Sequence, residues 1–464
     1  MAVAQPALVI VGGGLAGLSC AHRALELGAQ RIVLLDKEPK LGGNALKASS
    51  GINGVPTAAQ KAAGVHDSVK QFTDDTILSA GNLARPPLID ILTSRSAEAV
   101  AWLSENFQVD LSIVSRLGGH FAARTHRGHG GPPGWAITSV LVKQIEGAEQ
   151  AGRITIERQA RVSGLLVSDG SVNGVTYEQQ GTVKELQGKV VVASGGYSLA
   201  RNLITQYRPD LLSTPTTSGP HATGDLHTIL QTSAAHVSLV DMDQVQVHPT
   251  GFVDPSNPES STKFLAAEAL RGAGGILIDG RGLRFVNELD RRDIVSAAVQ
   301  NVLQAQHGPV RLLLTEAAVE SIKEHCKFYI AKGLMKRYED AAQLASDTGI
   351  PLDGLHTSFE AYRKNAENAT CDAFSKVIFP NPDFEDNATV YSAQITPVVH
   401  YTMGGVEIDE AARVLNTTGN AIAGLYAAGE VTGGIHGHNR LAGSSLLECV
   451  VFGRLAAETA TASL

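Results

Sequence analysis

Cysteine is scarce in this chain: four in 464 residues, Cys20, Cys326, Cys371 and Cys449. None form a Cys-x-x-Cys pair or a Cys-x-x-Cys-His motif, which argues against a disulfide framework, a zinc site or attached haem. No metal site is expected. Charge is sparse as well, with Asp, Glu, Lys and Arg making up 18% of the chain and a formal net charge of −8. There is no block of Lys and Arg, so neither nucleic acid nor an anionic membrane is expected as the main partner. Long apolar runs are missing too. None reaches the roughly 18 residues that would cross a bilayer, and Met1 to Gln5 has neither the basic nor the apolar region of a signal peptide. The expected location is the cytoplasm or another soluble intracellular compartment, without membrane insertion.

What the chain does have is glycine, 48 residues of it, gathered in pairs and triplets. Ala7 to Val11 is a continuous apolar run, as in a strand buried on both faces of a parallel sheet. Gly12, Gly14 and Gly17 follow in G-x-G-x-x-G spacing and open a helix to about Leu27, with Gly28 placed to end it. A second strand, Arg31 to Leu35, ends in Asp36 and Lys37. Strand, glycines, helix, strand and acid in this order indicate a dinucleotide site. The glycines admit a pyrophosphate to a helix N-terminus, and the acid accepts from ribose hydroxyls. A second polar and glycine-rich segment, with Gly43, Asn44, Ser49 and Gly51, stands where a flavoprotein wraps its ring system, which favours FAD over NAD. Lys189 to Ala193 reads as a strand returning to the sheet ahead of Gly195. Gly424 to Gly429 reads as another, ending at Glu430. Ser445 and Glu448 have the spacing of a capping box opening the last helix. That helix's N-terminus, with Ser445 and Leu446, is aimed at the flavin.

Between these parts, residues 66 to 107 read as amphipathic helix broken at Pro86-Pro87 and resumed from Ser94 to Leu103. Strands around Val162 to Tyr177 are expected to turn at Asp169-Gly170 and Asn173-Gly174. The loops Leu117 to Phe121 and Arg124 to Pro133 are basic and could line a mouth for an acidic substrate, a solvated loop being the equal alternative. Near Asp241 the pattern changes. Ser261 to Arg271 reads as a helix on which Glu268 and Arg271 share a face. The segment Gly282 to Asp293 crowds charge, and Asp290 with Asp293 reads as an N-cap and N3 acid. Arg292 then lies in the first turn, where a cation opposes the helix dipole. The bland alternative is a surface arginine paired with Asp290 or Asp293. Residues 300 to 390 show no chemistry.

The Gly12 to Gly17 motif, Gln246-Val-His248-Pro-Thr250, Glu268 to Gly272, Arg284-Phe-Val-Asn-Glu288 to Asp293, His400-Tyr-Thr-Met-Gly-Gly405 and Asn439-Arg440-Leu441 together resemble the soluble fumarate reductases. That family includes the flavin domain of bacterial flavocytochrome c fumarate reductase and the yeast-type enzyme. The resemblance spans nearly the whole chain. It implies an α/β fold in which a Rossmann-like FAD-binding domain (1–241 and 396–464) carries an inserted α+β clamp domain (242–395). It also implies that His248, His400 and Arg440 hold the two carboxylates of fumarate, succinate or a similar dicarboxylate. Arg292 would donate the proton, resupplied through Glu268 and Arg271. No histidine lies between His22 and His66, so FAD is expected to be held noncovalently. Ala267 stands where bacterial relatives place a threonine, as in the yeast-type branch. The chain is expected to act as a monomer with an electron donor yet to be identified. Other readings are a related flavin enzyme such as an L-aspartate oxidase or another enoate reductase, and, from a different class, a flavin-free binding protein of the same fold.

Overall fold

The computed structural model describes residues 7–464, so the reading of Met1 to Gln5 falls outside the described residues. Strand β1 (Ala7–Val11) is buried along its whole length, because a central parallel strand meets an apolar layer on each face. It runs into α1 (Leu15–Glu26), whose C-cap Leu27 is followed by the left-handed Gly28. β2 (Ile32–Asp36) pairs parallel to β1, from Leu8 opposite Ile32 to Val11 opposite Leu35. The chain rejoins this sheet as β3 (Thr182–Val192). It then builds a second body from β4 (Val245–Phe252), α2 (Glu268–Gly272), α3 (Arg292–Gln304), α4 (Lys323–Ala331) and β5 (Val390–Thr402). It returns as β6 (Ala421–Ala427) and α5 (Ser444–Ala462).

The central sheet has the order Arg413–Leu415, β6, β3, β1, β2, Thr155–Arg158. It is parallel from β6 onward. The second sheet is antiparallel, in the order β4, β5, Val310–Thr315, Ile276–Ile278. It has its own core of residues such as Phe252, Leu270, Val295 and Leu312. The expected domain division at 395 falls inside β5, so this one strand carries the chain from the second body into the site.

Several local expectations change. Pro86 and Pro87 begin a helix (Pro86–Ser94) rather than interrupt one, since proline's missing N–H costs nothing in a first turn. The next helix is Ser96–Phe107. The turn at Asp169-Gly170 forms, but Asn173-Gly174 lies within the strand Ser171–Gln179 and the second turn is Gln180-Gly181. Gly174 answers instead to a close approach, because a Cβ there would sit 2.2 Å from the Leu186 carbonyl oxygen. Of the expected 261–271 helix only the last four residues are helical, within Glu268–Gly272. The residues before it run extended beside β4, with the Phe252 N–H bonded to the Phe264 carbonyl and Gly251 bridged to Leu265, and this backbone pairing outweighs the helical pattern.

Candidate active site

At the C-terminal end of β1 the backbone closes tightly around glycine. A Cβ on Gly12 would lie 2.3 Å from the Ala193 carbonyl oxygen, and one on Gly17 would lie 1.9 Å from that of Gly12. Gly17 therefore lets α1 pack onto β1 and does not itself face the site. Gly14, by contrast, has nothing within 4 Å of its Cβ position. It opens onto a cavity of about 390 Å³ lined by Gly12, Gly14, Asp36, Lys37, Gly43, Asn44, Gly195 and Glu430. The N-terminus of α1 has no side-chain cap and no acid in its first turn, leaving its N–H groups to an anion. Asp36 accepts from the N–H groups of Gly13 (2.7 Å) and Glu38 (2.8 Å). Lys37 pairs at the same cavity with Asp225 at 2.9 Å.

Asn44, Glu430 and Cys449 line both this cavity and a second one, of about 560 Å³. Ser49, Gly51, Ser445 and Leu446 border the second cavity with Arg292, His400, Tyr401 and Arg440. The Ser49 hydroxyl is buried without a partner among the described residues. Ser445 is not a cap. The helix starts at Ser444 with Gly443 as its uncapped N-cap. Glu448 turns inward, accepting from the Tyr401 hydroxyl and lying 2.8 Å from His436 Nε2. The Ser444 N–H bonds the Leu441 carbonyl, and the missing cap leaves the next N–H groups of α5, at Ser445 and Leu446, without a capping side chain at the cavity wall. Two joined cavities, each touched by an uncapped helix N-terminus, suit an extended dinucleotide with a ring system at one end.

Above that ring end lies a buried cluster of charge. Arg292 is the first residue of α3, and neither Asp290 nor Asp293 caps the helix. Asp290 accepts from the Arg291 N–H at 2.7 Å, and Asp293 pairs with the Arg291 guanidinium at 3.0 Å. The bland reading thus describes Arg291, while Arg292 turns inward and is 4% exposed. Its Nε donates to Glu268 Oε2 at 2.6 Å, and its Nη1 donates to Gln246 Oε1 at 2.8 Å. Arg440 Nη2 donates to the same Gln246 oxygen at 3.0 Å. Burial, followed by the charge of Arg292, lowers Arg440 to about 10, and the Tyr401 ring lies 4.3 Å beneath its guanidinium. Arg271 Nη2 is 3.4 Å from Glu268 Oε2. Burial alone would push Glu268 up, but Arg292 and Arg271 outweigh it and hold it at about 2. The Thr250 N–H donates to His248 Nδ1 at 3.2 Å, so Nε2 carries the hydrogen, and it has no partner among the described residues. His400 Nδ1 is 2.7 Å from Thr217 Oγ1, and its ring meets that of His248 edge-on at 5.3 Å. Two cations and two imidazoles thus converge where an anion would satisfy them.

The structure does not place every basic residue here. Arg124 is buried in a pair with Asp67 and Asp75. His120 Nε2 bonds the Ala442 carbonyl, and His126 bonds Thr57. The basic side chains of these loops brace the fold, while Gly131 and Pro132 at the end of the second loop line the ring cavity. Conversely, residues 300 to 390 do contribute, since Glu324, His325, Phe328 and Tyr329 of α4 line the ring cavity. Their i, i+1, i+4, i+5 spacing was the available signal. Gln246 was also missed as the shared acceptor of two arginines, because an uncharged side chain carries no sign of its role in a sequence.

Burial lowers His120 and His227 to about 4, and holds His248 well below its usual range. In the unfolded chain these groups take up protons below about pH 6.5, while in the fold they do so only at much lower pH. Stability should therefore fall as pH drops from 6.5 toward 4, by about 1.4 kcal/mol per pH unit for each group. Thermal midpoints of the protein between about pH 7.5 and 5 check this, and a flat profile would contradict it.

The FAD binding domain family matches residues 7–446. The chain is 45% identical to a fumarate reductase of Schizosaccharomyces pombe, over 98% of this chain and 89% of that protein. It is 40% identical to fumarate reductase 1 of Saccharomyces cerevisiae, over 97% and 98% respectively. Among solved structures it is similar to the open conformation of a flavocytochrome c3 fumarate reductase, with 32% identity and a TM-score of 0.76, covering 98% of this chain and 78% of that one.

Proposed function

This chain belongs to the FAD binding domain family, and we propose that within it the protein is a fumarate reductase working with noncovalent FAD. The observation that carries this reading is the convergence of Arg292 and Arg440, which both line the cavity that continues the dinucleotide site, on one Gln246 oxygen 2.8 and 3.0 Å away. Two buried guanidiniums held that close repel each other, and a dianionic ligand relieves both.

In this reading Arg440, with the Nε2–H of His248 and the ring of His400, binds the carboxylates of fumarate and holds the double bond across the cavity. FAD, when bound in its reduced form, supplies a hydride to one alkene carbon. Charge building toward the carboxylate is stabilised by the same cations. Arg292 gives a proton to the other carbon, and the π pair becomes the new C–H bond of succinate. Arg292 is then reprotonated through Glu268 from Arg271. The uncapped N-terminus of α5 favours negative charge at the cavity wall, and Ser49 offers a free hydroxyl there. We take the protein to act as a monomer in a cytoplasmic-type compartment, with electrons arriving from a separate donor. Among the described residues no helix is long and apolar enough to cross a membrane.

Initial rates with fumarate, L-aspartate and urocanate test the reading, with a reduced dye driving the reductions and oxygen accepting from aspartate. Fumarate turnover by FAD-loaded protein is expected to dominate. Yellow, FAD-replete protein that turned over aspartate or urocanate and not fumarate would replace this reading with a related activity, and a colourless preparation would remove it.

A further inference from the structure

Both oxygens of Glu268 are engaged, and by different parts of the molecule. Oε2 faces Arg292 Nε at 2.6 Å, Arg271 Nη2 at 3.4 Å and His248 Nε2 at 3.9 Å. Oε1 accepts the backbone N–H of Gly118 at 2.8 Å. Gly118 lies in the connection between the strands Ile113–Ser115 and Thr125–Arg127. That connection is braced on both sides of the glycine: the Gly119 N–H donates to the Leu289 carbonyl, Arg116 Nε donates to the His120 carbonyl, and His120 Nε2 bonds the Ala442 carbonyl. A Cβ at position 118 would sit 2.6 Å from the Asp290 carbonyl oxygen and 2.9 Å from Glu268 Oε1. A side chain there could not come this close without moving the backbone that leads into Arg292.

We propose that the Gly118 N–H is a positioning donor for proton delivery, pinning Glu268 Oε1 so that Oε2 alone takes the proton from Arg271 and passes it to Arg292. The inference rests on the fumarate-reducing reading above. The last torsion of a glutamate is broad and roughly two-fold. A free carboxylate would accept on either oxygen and then have to rotate before donating. With Oε1 held, both transfers use one oxygen in one orientation. Each cycle balances: Arg292 loses its proton to substrate, Glu268 Oε2 gains one from Arg271 and returns it to Arg292, and Arg271 regains one from solvent water. The N–H also supports the ionised carboxylate against burial. The charged and titratable groups facing Glu268 are Arg292, Arg271, His248 and His120.

The test compares Gly118→Ala with Gly118→Pro in the FAD-loaded protein. Both add a Cβ, and only proline removes the N–H. Losing a hydrogen bond to a charged group corresponds to about a tenfold to hundredfold effect. The proline variant should therefore lose kcat by about that factor beyond the alanine variant, with a larger solvent deuterium effect and an acid limb of the pH profile moved upward. Succinate affinity should stay near the wild-type value. Wild-type kcat, isotope effect and pH profile in both variants overturn the assignment. Should the proline variant fail to load FAD, Gly118→Ala decides alone, because its Cβ must push Oε1 away: an unchanged isotope effect and pH profile overturn the proposal. Wild-type protein that does not reduce fumarate overturns the functional reading instead, so the two failures are distinct.

Discussion

Arg292→Ala is expected to lower fumarate reduction by about 10²- to 10⁴-fold, the range that a positioned general acid contributes, with FAD content unchanged. The residue lines the ring cavity and reaches none of the dinucleotide end. Its loss also leaves Glu268 facing Arg271, and Gln246 facing Arg440, so the remaining charges stay paired and the fold should survive. The effect should fall on kcat more than on KM, because Arg440, His248 and His400 still bind carboxylates. Arg292→Lys is the sharper control. A lysine keeps the charge but cannot fork to Glu268 and Gln246 together, so its rate should lie well below wild type even where succinate still binds. Reduced-dye assays with FAD-loaded variants measure this. A kcat within about threefold of wild type in Arg292→Ala, far short of the acid-catalysis range, would sink the acid role.

The dinucleotide end was legible in the sequence because its signals are local. An apolar run, glycines at fixed offsets and an acid at the next strand's end are all set by backbone geometry within about thirty residues. The charged cluster was legible as residue types, since Glu268, Arg271 and Arg292 stood in motifs, but its geometry was not. Arg291 and Arg292 are adjacent and chemically identical, and only the entry of α3 decides that one meets Asp293 at the surface while the other meets Glu268 inside. Both expected caps failed for the same kind of reason. Asp290 was taken by its own neighbour's N–H, and Glu448 by Tyr401 and His436, and such competition between local and distant partners leaves no trace in spacing. Gln246 and Gly118 act through a carbonyl oxygen and a backbone N–H. Neither is rare in a sequence, and each acquires its role only when segments more than 100 residues apart, 118 with 268 and 246 with 440, come together.

Glu268→Gln should have the second large effect, on stability as well as on rate. Removing one member of a buried ion pair typically costs about 3–5 kcal/mol, because the partner charge stays buried, and here the partners are two arginines. A glutamine can still accept the Gly118 N–H through its carbonyl oxygen, but its amide then turns N–H groups toward guanidiniums that are donors themselves. The pH dependence identifies the cause. Glu268 is held at about 2 in the fold, below the ordinary value of about 4.3 for an unfolded glutamate. Its ionised form thus contributes stability that is complete above that value and is lost as pH falls toward 2. The stability gap between wild type and Glu268→Gln should be constant above about pH 5 and close below it. Turnover should drop by about 10²- to 10⁴-fold across the whole accessible range, since a glutamine cannot carry the proton from Arg271 to Arg292. A variant that lost stability yet kept wild-type kcat would leave Glu268 as a counter-ion only, with Arg292 resupplied by another route.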